Sequence, residues 1–162
     1  MTQHALHFQY YSFENLDELP EDIQNLIKQS IAFLPNAYAP YSHFQVACSV
    51  LLSDGTVHVA TNQENASYPV GSCAEQVVLK YVGSNYKNKT ITAIAVTAKP
   101  EYTESKGIAT PCGMCRQCIL EYETKQQQPI QIYLVHATAG NGLLINKAAD
   151  LLPIGFEANL LK

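Results

Sequence analysis

Apolar positions along this 162-residue chain recur in two periods, and the switches between them mark its elements. Ile23, Leu26, Ile27, Ile31 and Leu34 fall at helical spacing and make one apolar stripe over residues 20 to 34. Pro20 suits the start of that helix, and Glu21 and Asp22 stand where the helix dipole favours acids. Pro35 ends it, and residues 36 to 42 (NAYAPYS) are rich in turn formers. Residues 44 to 52 (FQVACSVLL) read as a strand buried on both faces towards its end. Asp54-Gly55 is a turn signal, and residues 56 to 61 (TVHVAT) return as a second strand. A short helix follows over 73 to 82, with Val77, Val78, Tyr81 and Val82 on one side. A β-rich run covers 91 to 98, a helix 112 to 123 and a strand 130 to 136. A last short helix over 147 to 152 stops at Pro153.

The order α, β, β, α, β, α, β predicts an α/β fold, a three-layer α/β/α sandwich around one mixed sheet. No internal repeat or low-complexity linker divides the chain, so residues 1–162 are expected to form one domain. The first 18 residues are aromatic and polar without a period and read as an N-terminal extension or an edge segment.

Composition narrows the function. With 47% hydrophobic and 15% charged residues the chain is an ordinary globular one, not a disordered one. The net charge is −4, and nine lysines accompany a single arginine, Arg116. Nucleic-acid binding rests on clustered cations, so a nucleic-acid partner is not expected. No apolar run approaches the roughly 20 residues that span a bilayer, so no membrane role is expected either. The opening residues have neither the basic flank nor the apolar block of a secretory signal, and a cytoplasmic location is expected. Five cysteines, Cys48, Cys73, Cys112, Cys115 and Cys118, are an odd number, and three lie within seven residues. That arrangement points to metal or catalytic chemistry and away from disulfides.

The chemistry concentrates in three places. Cys73-Ala74-Glu75 opens one helix, Pro111-Cys112-Gly113-Met114-Cys115 opens another, and Asn62-Gln63-Glu64-Asn65 follows a strand. Cys112 and Cys115, three apart, share one face of a first helical turn. A helix N-terminus favours the thiolate, which is the metal-binding form. A third thiolate from Cys73 would give Zn²⁺ three protein ligands and leave the fourth position open for water, the catalytic arrangement. Glu75 is then suited to carry protons beside that water. Cys, one residue, Glu, followed downstream by Pro-Cys-x-x-Cys, is the signature of zinc deaminases. Cys48 reads as a buried small hydrophobe and Cys118 as buried and inert. His43, His58 and His136 have no ligand spacing.

On these motifs the chain resembles the small zinc-dependent cytidine deaminases. The matching segments are AYAPYSHFQV (residues 37 to 46), NQENASYPVGSCAE (62 to 75), PCGMCRQ (111 to 117) and LLPIGF (151 to 156). The matching residues run from Tyr38 to Phe156, about three quarters of the chain. The resemblance implies hydrolytic deamination of cytidine and deoxycytidine to the uridine forms, in pyrimidine salvage. It implies one Zn²⁺ per subunit on Cys73, Cys112 and Cys115, with Glu75 as the catalytic proton shuttle. It places Phe44 against the pyrimidine ring, Asn62 and Glu64 on the ribose hydroxyl, and backbone near Ala74 on the base and the water. It also implies a homotetramer in which Tyr68 and Phe156 complete a neighbour's pocket.

Two departures stand out. The family commonly has an Arg after the catalytic Glu, hydrogen-bonded to ligand thiolates, and here that residue is Gln76. Three thiolates on Zn²⁺ leave a formal charge of −1, so the helix N-termini and Arg116 are expected to compensate. The usual Val-Gly-Ala-Ala is here Val46-Ala47-Cys48-Ser49, read as core packing. Gln76 also keeps an alternative open, a same-fold deaminase for a modified nucleoside or nucleoside antibiotic. Blasticidin-type deaminases lack that Arg as well, but they lack the Asn-x-Glu-Asn segment this chain keeps.

Overall fold

The computed structural model describes residues 1–105, 107–157 and 161. Its framework is one six-stranded sheet. The strands are β1 (Tyr11–Phe13), β2 (Phe44–Leu52), β3 (Val57–Thr61), β4 (Ile91–Pro100), β5 (Gln131–His136) and β6 (Gly142–Ile145). They lie in the order β1-β6-β5-β4-β2-β3. Only β4 and β5 run parallel; the other pairs are antiparallel, so the sheet is mixed. A parallel pair needs a crossover, and α3 (Gly113–Gln126) supplies it.

Side-chain alternation along the strands sorts the core into two layers. On one face α1 (Glu21–Phe33) buries Ile23, Leu26 and Ile27 against Leu51, Ala93, Ala95, Tyr133 and Val135. The facing alanines of β4 are small, which leaves room for the helix to approach. Three buried hydroxyls pin it there. Ser30 Oγ donates to the Ala47 carbonyl at 3.1 Å and pairs with Thr97 Oγ1 at 2.8 Å. Ser49 Oγ donates to the Leu26 carbonyl at 2.8 Å.

The opposite face carries Cys48, Val50, Ile94, Val96, Ile132 and Leu134, covered by α2 (Ala74–Asn85) and α3. Helices on both faces of one mixed sheet make the three-layer α/β/α sandwich.

Three features differ from the sequence expectation, and one, the edge segment, is sharpened. Residues 11 to 13 form a true edge strand, fixed by Phe13, which is buried against Gly142 of β6. β6 itself is four residues long, too short to carry a period of its own. The final helix is one 3₁₀ turn, Ala148–Leu151. In α2 the buried set is Ala74, Val78, Leu79 and Val82, whereas Tyr81 is exposed beside His58 and Tyr86. Tyr81 faces out because an aromatic partner on β3 waits there, not because the core needs it.

Candidate active site

Cys73 is the N-cap residue of α2 and Cys112 the N-cap residue of α3. Both have extended backbone, and neither side chain makes a capping hydrogen bond. Ser, Thr, Asp or Asn at such a position would accept from the exposed N–H groups of the first turn. Here the two helices instead point their positive ends at sulfur. Cys115, fully buried, lies one turn into α3.

The three Sγ atoms lie within 4.8 Å of one another, with Cys112 and Cys115 at 3.5 Å. Tetrahedral Zn–S bonds of about 2.3 Å place sulfurs about 3.8 Å apart, so this group fits the ion without rebuilding the helices. Three soft thiolates suit Zn²⁺, and a three-ligand set leaves one position open. The protonation pattern agrees. Donation from the Cys115 thiol, aided by Cys112, lowers Cys73 to about 6 against the burial that opposes it. Cys115 is pushed strongly up, because it donates to the Cys73 thiolate and is itself buried. The thiolate form of Cys73 is therefore favoured, and thiolate is the form that binds metal.

Glu75 follows in the first turn of α2, only 3% exposed. Burial pushes its carboxyl above the usual carboxylate range, while its own backbone N–H and the Cys115 thiol act the other way. A carboxyl poised to hold or release a proton beside the metal group is what acid–base work requires.

The Asn62–Glu64 segment is drawn to this centre by backbone pairing. Gln63 exchanges both hydrogen bonds with Ser72, next to Cys73, at 2.9 and 2.8 Å. On its other side Tyr38 N–H donates to the Asn62 carbonyl and Glu64 N–H to the Tyr38 carbonyl. Asn62 Oδ1 accepts the Val46 N–H, and its Nδ2 donates to the Phe44 carbonyl, both at 2.9 Å. Glu64 Oε2 accepts the N–H groups of Tyr41 at 2.9 Å and Ser42 at 3.3 Å. Burial raises its pKa, but hydrogen bonds from Ser42 and Tyr41 outweigh it and lower the carboxyl overall. Each side chain thus has partners within the fold.

A cavity of about 360 Å³ opens beside them, lined by Tyr41, Ser42, Glu64, Asn65, Tyr68 and Gly71. Tyr68 is 74% exposed and meets Tyr41 edge-on at 5.6 Å. Phe44 and Phe156 are exposed aromatics at 39% and 56%. Ala74 is completely buried at the first position of α2.

Arg116, expected to help compensate the thiolates, is held by backbone carbonyls. Its Nε donates to the Pro111 carbonyl at 2.9 Å and its Nη1 to the Leu151 carbonyl at 3.2 Å. Two carbonyls hold the guanidinium, and it makes no hydrogen bond to sulfur. Gln76 accepts from Lys80 Nζ at 2.9 Å, one turn along α2. That lysine was missed in the sequence, although i to i+4 spacing places it beside Gln76. The backbone donors to Glu64 were also missed, because they depend on the loop conformation. Cys48 is buried as expected; Cys118 is only half-buried, packed against the core below α3.

Comparison with known proteins agrees with this geometry. Residues 20–128 match the family described as "Cytidine and deoxycytidylate deaminase zinc-binding region". A cytidine deaminase of Halalkalibacterium halodurans is 41% identical over 100 residues, 62% of this chain and 71% of the relative. One from Sporosarcina psychrophila is 36% identical over 102 residues, 62% of this chain and 70% of the relative. Among solved structures, the cytidine deaminase from Burkholderia pseudomallei superposes with a TM-score of 0.70 at 33% identity. It covers 82% of this chain and 97% of its own. That from Mycobacterium tuberculosis gives 0.65 at 29% identity, over 85% and 99%. The chain belongs to the zinc-binding cytidine and deoxycytidylate deaminase family.

Proposed function

We infer that this chain is a zinc-dependent cytidine deaminase, converting cytidine and deoxycytidine to the uridine forms with release of ammonia. The observation that carries the reading is the buried Glu75 carboxyl in the same first turn as Cys73, beside the three-thiol group. Cys73, Cys112 and Cys115 would hold the ion. Bound there, Zn²⁺ supplies a Lewis acid that brings the pKa of water to about 7.

The rest is the work of this chain's side chains. Glu75 takes a proton from the attacking water and gives it to N3 of the ring, then transfers a second to the departing amine. The water oxygen becomes O4 of uracil, the C4–N4 bond breaks, and nitrogen leaves as ammonia. Phe44 packs on the flat pyrimidine ring. Asn62 and Glu64 hold the ribose hydroxyl, two residues apart on one face of the segment. Backbone at Ala74 meets the base.

Tyr68 and Phe156 serve as aromatic walls shared with a neighbouring copy in a homotetramer. Their exposure in the single chain supports that role. The chain acts as one domain, and its place is pyrimidine salvage in the cytoplasm. No helix among the described residues is long and apolar enough to cross a membrane, which is consistent with that location.

The curated relatives favour cytidine over a modified nucleoside or antibiotic. A substrate panel tests this directly. Conversion of cytidine and deoxycytidine to the uridine forms, with no uracil-form product from amine-modified analogues, is the expected result. Turnover of a modified nucleoside but not of cytidine would overturn it.

A further inference from the structure

The C-terminal turn is bound to α3 at both ends. Glu123 accepts the N–H groups of Ala148 at 2.7 Å and Ala149 at 3.0 Å, which are the free donors at the start of the Ala148–Leu151 turn. The same carboxylate also accepts the Ile130 N–H at 2.8 Å, at the entry to β5. Arg116 donates from Nη1 to the Leu151 carbonyl, at the far end of the turn. Arg116 and Glu123 are seven residues apart, two turns of α3, so they stand in one row.

Both charges oppose the helix dipole. Arg116 is in the first turn, where an acid is favoured, and Glu123 is in the last, where a base is favoured. Their positions therefore answer to the tail turn and not to α3 itself. A further bond joins the same segment, as Gln117 Nε2 donates to the Phe156 carbonyl at 2.8 Å.

The other arm of Arg116 reaches the metal group. Nε donates to the Pro111 carbonyl, in the peptide that leads directly into Cys112. Rotating that peptide would rotate the Cys112 backbone, which has extended geometry at the N-cap. One guanidinium thus ties together the loop that presents a sulfur ligand and a turn 35 residues away.

We propose that Arg116 is a positioning residue for zinc retention, fixing the Cys112 loop against the Ala148–Leu151 turn that Glu123 anchors. The proposal rests on the zinc site inferred above. It predicts that the tail, far from the metal in sequence, governs how fast the ion leaves.

The test is the rate at which zinc-loaded protein gives up its metal to excess chelator, alongside the melting temperature of each zinc-free variant. Arg116→Ala should release zinc about 10-fold faster or more, in line with the loss of outer hydrogen bonds around a metal site. Arg116→Lys, which cannot span both carbonyls, should fall between it and the native protein. Glu123→Gln should accelerate release although it touches no residue of the ligand loop. If Arg116→Ala does not fold, the other two variants carry the test. Wild-type release rates in Arg116→Lys and Glu123→Gln, with only a lowered melting temperature, would make the clamp merely structural and overturn the proposal. A native protein that binds no zinc at all would instead overturn the function it rests on.

Discussion

Asn62 Nδ2 donates to the Phe44 carbonyl at 2.9 Å, so the two residues assigned to sugar and base are bonded to each other. Asn62 Oδ1 holds the Val46 N–H on the same strand. The amide therefore sets where β2 begins and where the Phe44 ring sits. Asn62→Ala should leave the Val46 N–H unpaired and cost about 1–3 kcal/mol. Displacing the ring should lower kcat/KM by about 10²-fold. Asn62→Asp keeps an acceptor for the Val46 N–H but has no hydrogen for the Phe44 carbonyl, so it should recover stability more than kcat/KM. Steady-state kinetics with cytidine, together with urea denaturation, check both parts.

The buried Ser30–Thr97 pair gives a test of how α1 is held. Ser30→Ala removes the partner of Thr97 Oγ1 and should destabilise by about 1–3 kcal/mol. Replacing both hydroxyls, as Ser30→Ala with Thr97→Val, should recover much of that loss, because no buried polar group is left alone. Denaturant midpoints for the three variants decide it. A double variant as unstable as the sum of its parts would contradict the account.

At the other edge, a Cβ on Gly142 would stand 2.3 Å from Phe13 Cζ and 2.6 Å from the Leu134 carbonyl oxygen. Gly142→Ala should therefore destabilise by about 1–3 kcal/mol through overpacking. Adding Phe13→Ala should not rescue it, because the backbone contact remains. The melting temperatures of both proteins test this.

The thiols make the zinc-free protein sensitive to pH. Cys73 is lowered to about 6 in the fold against its ordinary value of 9.0. Between those values the unfolded chain binds more protons, so this thiolate adds stability as pH rises from 6 to 9 and loses it as pH falls through 6. Cys115 shifts upward, so its contribution is present below 9 and lost above it. Zinc-free protein should thus gain stability from the Cys73 thiolate as pH rises from 6 towards 9, as thermal unfolding across that range would reveal. Alkylation of one thiol should stay fast down to about pH 6.

Much of this was readable before any coordinates. Cys73 with Glu75, and Cys112 with Cys115, each act within one helical turn, so spacing alone places each pair together, while the meeting of the two pairs is tertiary. The α1 stripe was readable because a helical period runs through it, and the strands β2, β4 and β5 because each is a short, near-continuous β-rich apolar run. What escaped is tertiary. β1 and β6 have too few residues for a pattern, and they exist because Phe13 finds the space left by Gly142. Tyr81 looked like a core residue because its spacing fits, yet its neighbours are His58 and Tyr86. Arg116 was read by charge, and its hydrogen bonds go to two carbonyls that no motif announces.

The central claim is that Glu75 moves the protons while three cysteines hold the metal. The direct measurement is zinc per chain and ammonia release from cytidine, on the same samples of native protein and Glu75→Gln. One zinc per chain is expected in both, with turnover about 10²–10⁴-fold lower in the variant. Turnover near the native rate in fully zinc-loaded Glu75→Gln would contradict it.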